Sequence, residues 1–271
     1  MATMIEKWKC LWGYKSNKPI FIIGTGRSGT NWLGKTLSIH PEISATIERQ
    51  PIFGLSTRIA MNPQFESHLY KRLVWMYRLM LLRAAPHHYL DKSHPNIWIA
   101  ERLHATFPRA QFIGIERNPY ATVASMMNHK AVSMRHERWR QFPVPNRFLG
   151  ITEQNAKIYQ RMPMAAKCAL RWLAHHQRMD ALRHKLGEAL TVIPFENFVY
   201  DTQNVIENLG RFLDLKNPIA APAVDYATLN KWEAQLADNE IKQIHDIVGI
   251  SPEHYASEKY GLVKENPALL Q

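Results

Sequence analysis

The chain has 271 residues, 46% of them hydrophobic, with 34 Lys and Arg against 23 Asp and Glu, for a net charge of +11. That length can bury a core for one undivided domain, and the two cysteines, Cys10 and Cys168, are too few for a disulfide framework. The basic excess suits anionic ligands, but Lys and Arg are dispersed and match no nucleic-acid-binding module, which argues against DNA or RNA as a partner.

Residues 1–18 lack the apolar run of a signal peptide or membrane anchor and read as an N-terminal extension. With the sparse cysteines, this leads us to expect a cytoplasmic protein, of bacterial type, with no membrane span. Residues 19–31, PIFIIGTGRSGTN, are an apolar β-branched run that breaks at Gly24 and opens through Gly26, Arg27, Ser28, Gly29 and Thr30 into a helix. A buried strand, a glycine turn and a helix N-terminus together aim backbone N–H groups at an anion, and Arg27 adds a forked cation. A Walker A loop would need Lys and then Ser or Thr after the last glycine; Gly29 is followed by Thr30 and Asn31. Gly24, Gly26 and Gly29 match a dinucleotide fingerprint, with Glu48 ending a second strand at 43–48, so a nicotinamide-dependent oxidoreductase is an alternative. A nucleotide- or polyanion-binding protein without chemistry is another.

Residues 65–85 read as one apolar-rich helix too charged to cross a bilayer, 89–93 as a short strand carrying Lys92 near its end, and 94–107 as the crossover helix. Residues 111–117 form the next buried strand, with Arg117 at its C-terminal end and Asn118-Pro119 as helix cap and first turn. Ser125 lies eight residues after Arg117, on the following helix. Two strand-to-helix turns of this kind suit a nucleotide phosphorylated at both ends. Residues 130–162 break the α/β rhythm, and their aromatic, Arg- and Pro-bearing portion has a loop's composition, so we expect a lid there. A helix at 165–186, a last core strand at 190–195 and a helix at 202–213 complete the pattern.

GTGRSGTNWL and RNPYATVAS resemble the two nucleotide motifs of sulfotransferases that use 3′-phosphoadenosine 5′-phosphosulfate (PAPS). Between them, DKSHPN is similar to that family's central Lys segment, and HPEISATIE to the stretch leading to the catalytic Glu of tyrosylprotein-type and bacterial members. TVIPFENFVYDTQNVIENLGRFLDL resembles its late strand and helix, so the resemblance spans residues 19–215. It implies a P-loop-like parallel β-sheet flanked by helices on both faces in a single domain over residues 19–271, and the composition and place of residues 130–162 lead us to expect that the lid there covers the acceptor.

The same resemblance implies the site. Gly26, Arg27, Ser28, Gly29, Thr30 and Asn31 would hold the 5′-phosphosulfate, Trp32 would stack on adenine, and Arg117 and Ser125 would bind the 3′-phosphate. Lys92 would bridge to the transferring sulfuryl group in a metal-free, in-line displacement, with Arg27 sharing the developing charge. Two groups are candidates for the base: Glu48, which we place first, and His94, as base or as its partner. The acceptor is a small molecule, sugar, lipid or peptide bearing a hydroxyl. The R-K-G segment of cytosolic relatives has no counterpart here, and Ser257, Lys259 and Gly261 are not counted in its place.

Overall fold

The computed structural model describes residues 17–251. Cys10, Ser257, Lys259 and Gly261 lie outside the described residues. Of the expected N-terminal extension, Asn17 and Lys18 are buried: Asn17 Nδ2 donates to Leu81 O at 2.8 Å and Lys18 Nζ pairs with Asp214 at 2.9 Å.

Five strands, β1 (Pro19–Gly24), β2 (Ile43–Ile47), β3 (His88–Lys92), β4 (Gln111–Glu116) and β5 (Leu190–Pro194), pair in parallel in the order β2-β3-β1-β4-β5. β1 is buried along its whole length because helices cover both faces. Its alternate residues separate into two cores. Ile20 and Ile22 pack with Leu33 and Leu37 of α1 (Thr30–Ser38), while Phe21 and Ile23 pack with α2 (Ile52–Met61) and α3 (Glu66–Ala84). The expected single-domain parallel sheet with helices on both faces is the architecture observed.

The strand order decides between the two glycine-loop readings. A dinucleotide fold places its second strand beside the first, bringing the acidic residue to the nucleotide ribose. Here β3 lies between β1 and β2, so Glu48 is two strands from the glycine loop and faces the end of β3 instead. The order also sets the ends of β3, β1 and β4 side by side where the chain reverses direction across the sheet, the position at which open parallel sheets bind ligands.

Some expected bounds differ. The 65–85 helix is α3, preceded by a 3-10 turn at Pro63–Phe65. The crossover at 94–107 is two pieces, a buried 3-10 turn at His94–Trp98, with Pro95 in its first turn, and α4 (Ala100–Thr106). After α5 (Pro119–Met127), the stretch expected to be irregular contains α6 (Lys130–Glu137) and α7 (Glu153–Tyr159). Then follow α8 (Met164–Leu186), α9 (Phe195–Tyr200), α10 (Thr202–Phe212), α11 (Ala227–Asn230) and α12 (Asp238–Val248). Trp232 and α12 close a third apolar cluster with α5 and α8, beside the strand ends.

Candidate active site

The glycine loop is shaped by positions where a side chain would not fit. Gly29 caps α1 at φ 94°, and a Cβ there would lie 2.4 Å from the Phe195 ring; one on Gly26 would lie 3.1 Å from His94 Nε2. Among the described residues, three non-glycine residues have positive φ: Arg27 at 78°, Glu48 at 48° and Asp214 at 52°. Left-handed backbone at ordinary residues costs roughly 1–3 kcal/mol and persists where surrounding structure enforces it. Two of these three bear candidate functional side chains, and both face the same cavity of about 840 Å³.

That cavity is lined from three neighbouring strand ends. After β1 come Gly26, Arg27, Gly29, Thr30, Asn31 and Trp32; β3 ends in Lys92, followed by His94; β4 leads to Arg117 and on to Ser125. Glu48 reaches it from the end of β2. Ser28 is the exception. Its hydroxyl donates to Thr25 O at 2.6 Å and the residue is wholly buried, so its side chain braces the loop from beneath.

Arg27 Nε donates to Ser125 Oγ at 3.1 Å, which joins the loop to α5. Arg117 donates through Nη2 to Thr228 O at 2.7 Å and through Nη1 to Arg27 O at 3.4 Å, and it lies over the Phe195 ring at 4.4 Å. Its Nε is buried without a partner. Asn118 caps α5 by accepting from Tyr120 N at 2.8 Å and Ala121 N at 3.3 Å, as its place before Pro119 suggested. Trp32 lines the cavity but packs its ring on Phe198, 4.1 Å between centroids, which is the sheet-packing role an apolar residue at this helix position would also have.

At the cavity floor Lys92 pairs with Glu48 Oε1, and His94 Nδ1 lies 3.3 Å from the same oxygen. Burial pushes the Glu48 carboxyl up, but the His94 hydrogen bond and the Lys92 ammonium outweigh it and hold it at about 2. Burial pushes His94 down to about 3 with Lys92 and Arg171 adding to it, against the pull of Glu48. Glu48 is therefore ionised and His94 neutral at pH 7. An ionised carboxylate can only accept, so His94 donates through Nδ1, and its basic nitrogen is the buried, unpartnered Nε2. The two candidate bases are one hydrogen-bonded unit. Burial lowers the Lys92 ammonium too, opposed by Glu48.

Several cavity residues carried no signal in the sequence. Arg135 on α6, Arg171 on α8, and Thr228, Lys231 and Trp232 near α11 all line it. Of the two histidines at and just before α6, His129 lines the cavity, whereas His136 is buried with Nδ1 2.6 Å from Tyr159 Oη. Among the described residues, Glu116, His176 and Asp180 have spacing suited to a metal ion, but Glu116 already accepts from Arg183 at 2.6 Å and the group lies apart from the cavity.

Three buried neutral histidines make stability depend on pH. Burial holds His94 and His136 at about 3, and His175 well below the usual 6.5. Below pH 6.5 the unfolded chain binds protons that the folded one refuses, so stability is lost as the pH falls from 6.5 toward 3. Asp91 acts oppositely: burial raises it to about 6, and folding retains its proton below that pH. Three groups against one predict a loss of roughly 2–3 kcal/mol per pH unit between about pH 6 and 5. Urea unfolding at pH 7, 6 and 5 measures it, and a flat midpoint would contradict the histidine burial.

Comparison with known proteins places this geometry. The profile described as "Sulfotransferase family" matches residues 19–218. Nodulation protein NoeE of Sinorhizobium fredii (strain NBRC 101917 / NGR234) is 25% identical over 281 positions, covering 84% of this chain, which in turn spans 63% of that protein's length. The sulfotransferase domain from the curacin biosynthetic pathway superposes with a TM-score of 0.56 at 17% identity, covering 86% of this chain and 98% of that one. For the sulfotransferase domain of the Synechococcus PCC 7002 olefin synthase the TM-score is 0.52 at 17% identity, over 85% of this chain and 94% of that domain. At these identities the two structures bear on the fold. Among the described residues no helix is long and apolar enough to cross a membrane.

Proposed function

Because the chain belongs to the sulfotransferase family, we propose that it moves a sulfuryl group from PAPS to an acceptor hydroxyl, in line and without a metal ion. The observation that carries this reading is the convergence of the glycine loop, Lys92 and Arg117 from adjacent strand ends onto one cavity of about 840 Å³. The residues fit such a nucleotide. Gly26 and Gly29 present bare backbone to the cavity, and Arg117 keeps a buried Nε unused.

In this reading the amides from Gly26 to Thr30, the α1 N-terminus and Arg27 hold the 5′ end of the donor. Ser28 acts through the loop it braces. Arg117 and Ser125 hold the 3′-phosphate, and Trp32, fixed by Phe198, offers the free part of its ring to adenine. The donor supplies an activated sulfuryl group on a phosphate leaving group. Arg27 and Lys92 stabilise the charge that grows on the leaving oxygen, interactions stronger in the transition state than before it. Glu48 and His94 together take the acceptor proton: Glu48 holds the imidazole tautomer, and His94 Nε2 is the free basic atom. Residues 130–162 act as the acceptor lid, a role supported by Val132 and Arg135 lining the cavity from α6.

Calorimetric titration with 3′-phosphoadenosine 5′-phosphate (PAP) in the presence of EDTA tests the donor. PAP is expected to bind and raise the melting temperature with the logarithm of its excess over Kd. Arg117→Ala should lower PAP affinity and erase its advantage over adenosine 5′-phosphosulfate, which lacks the 3′-phosphate. An undiminished response in the variant, or a strict need for Mg²⁺, would overturn the assignment.

A further inference from the structure

Arg171 is the largest of the fully buried side chains, 1% exposed in the middle of α8. Its guanidinium lies on the Phe148 ring at 4.5 Å, and its Nε and Nη1 are buried with no hydrogen-bond partner. Among the described residues it forms no ion pair. A guanidinium removed from water without a counter-charge is destabilising, and arginine cannot escape by losing its proton at neutral pH. Burial, with Arg135 next, draws Arg171 down to about 10, so it remains charged. Yet it lines the cavity, with Nη2 lying where a Cβ on Gly26 would be 3.3 Å away.

Arg135 reaches the same cavity from α6 and likewise forms no ion pair among the described residues. The carboxylate acting on it is Glu48, which Lys92 and His94 already engage. The position of this pair relative to the donor groups is informative. Arg27, Arg117 and Ser125 are joined to one another at the ends of β1 and β4. Arg171 stands beside His94: its Nη2 and His94 Nε2 lie 3.3 and 3.1 Å from one point, the Cβ position of Gly26, and both side chains pack on the Phe148 ring, while Arg135 lines the same cavity as Glu48, the carboxylate that acts on it. With Arg27, Lys92 and Arg117 assigned to the donor, and Lys231 following α11, whose Thr228 O accepts from Arg117, the remaining Lys and Arg that line the cavity are Arg171 and Arg135.

We infer that Arg171 and Arg135 form an anion subsite for the acceptor, so that the acceptor class is a hydroxyl compound carrying a carboxylate, phosphate or sulfate close to the hydroxyl that is sulfated. This rests on the sulfotransferase reading above. Two guanidinium groups match the paired oxygens of such anions, and the anion supplies the counter-charge that the fold withholds. The neutral acceptor of the same shape leaves Arg171 desolvated and unpaired, which gives selectivity against it.

The test begins with PAP binding to the full chain: no PAP binding overturns the donor reading and this proposal with it. PAP-saturated protein is then titrated with matched pairs, 3- and 4-hydroxybenzoate against their amides, N-acetyltyrosine against its amide, and glucose 6-phosphate against glucose. At least one anionic member is expected to bind tenfold or more tighter than its neutral partner, with the active class distinguishing carboxylate from phosphate. Arg171→Met and Arg135→Gln should each abolish that preference while leaving PAP affinity within about threefold. Arg171→Met should also raise the melting temperature of the ligand-free protein, an effect opposite to that of losing a merely structural arginine. Arg135→Gln, which alters a half-buried position, supplies an independent result if Arg171→Met misfolds. No anionic preference in any pair, a preference that survives in Arg135→Gln, or a loss of PAP or PAPS affinity as large as the loss of acceptor affinity would overturn the proposal.

Discussion

Replacing Lys92 with methionine is expected to lower turnover by roughly 30- to 1,000-fold, the loss of about 2–4 kcal/mol seen when a charge-stabilising donor is removed, while PAP affinity changes by less than about tenfold. Lys92 is 1% exposed at the end of β3, and its ammonium is held by Glu48 when no donor is present. Burial already disfavours its charge, so that charge interacts strongly with an anion brought into the same water-poor site. The variant also frees Glu48 from its principal cation. Glu48 remains a third exposed on its side chain, so water and His94 can satisfy it, and the fold is expected to survive. Comparing single-turnover rates with PAP dissociation constants separates the roles. A fall in binding as large as the fall in rate would make Lys92 an anchor for the bound donor instead of a stabiliser of the transition state.

Glu48→Gln and His94→Asn are each expected to reduce turnover by roughly 100-fold or more, and the double variant to lose little beyond either. The reason is geometric. Glu48 Oε1 and His94 Nδ1 are 3.3 Å apart, and a neutral Gln could present its amide N–H to Nδ1 and favour the other tautomer, placing the proton on Nε2 where the base is needed. Removing either member thus disables the same proton path, and such pairs are strongly non-additive. Additive losses would show that the two act separately. The pH profile gives a second reading. Only the unprotonated unit accepts a proton, and both members titrate low in the free protein, Glu48 at about 2 and His94 at about 3. The ratio kcat/KM should therefore hold from neutrality down through pH 6.5 and fall only toward about pH 4, provided exposure to acid is brief enough to avoid unfolding. An acid limb centred near 6.5, where an unperturbed imidazole titrates, would contradict the buried pair.

The divide between what was legible and what was not follows the range of the forces involved. The residues 19–31 pattern specifies strand, glycine turn and helix by local means: β-branched residues favour a pleated strand, Gly29 accepts φ 94°, and Asn118 followed by Pro119 caps a helix whatever surrounds it. A chain order of strand and helix likewise implies a parallel sheet, and Arg117 was placed at a strand end by the length of its apolar run. Resemblance of ordered motifs then supplied the family.

Neighbourhood in space was another matter. Nothing in the spacing of β1, β2 and β3 states that β3 inserts between the other two, because strand order is chosen by which faces the intervening helices bury. That insertion is what turns Glu48 from a fingerprint residue into the partner of Lys92 and His94. The segments at 94–98 and 130–137 departed from the expected elements: the first is a buried 3-10 turn, and the second a helix of which Val132 and His136 are buried. Arg171 is the sharpest case. An arginine in a helix that also carries Arg178 and Arg183 reads as part of a solvated face, yet α8 passes beneath the glycine loop and buries that one residue against Phe148. By itself the sequence determined the strand, glycine turn and helix at 19–31, the parallel α/β class and the sulfotransferase family, since these rest on local backbone preference and ordered motifs. Only the tertiary structure decided the Glu48–His94 pairing and the placing of Arg171 and Arg135 on one cavity, since desolvation and charge neighbourhood exist only once the helices have closed over the sheet.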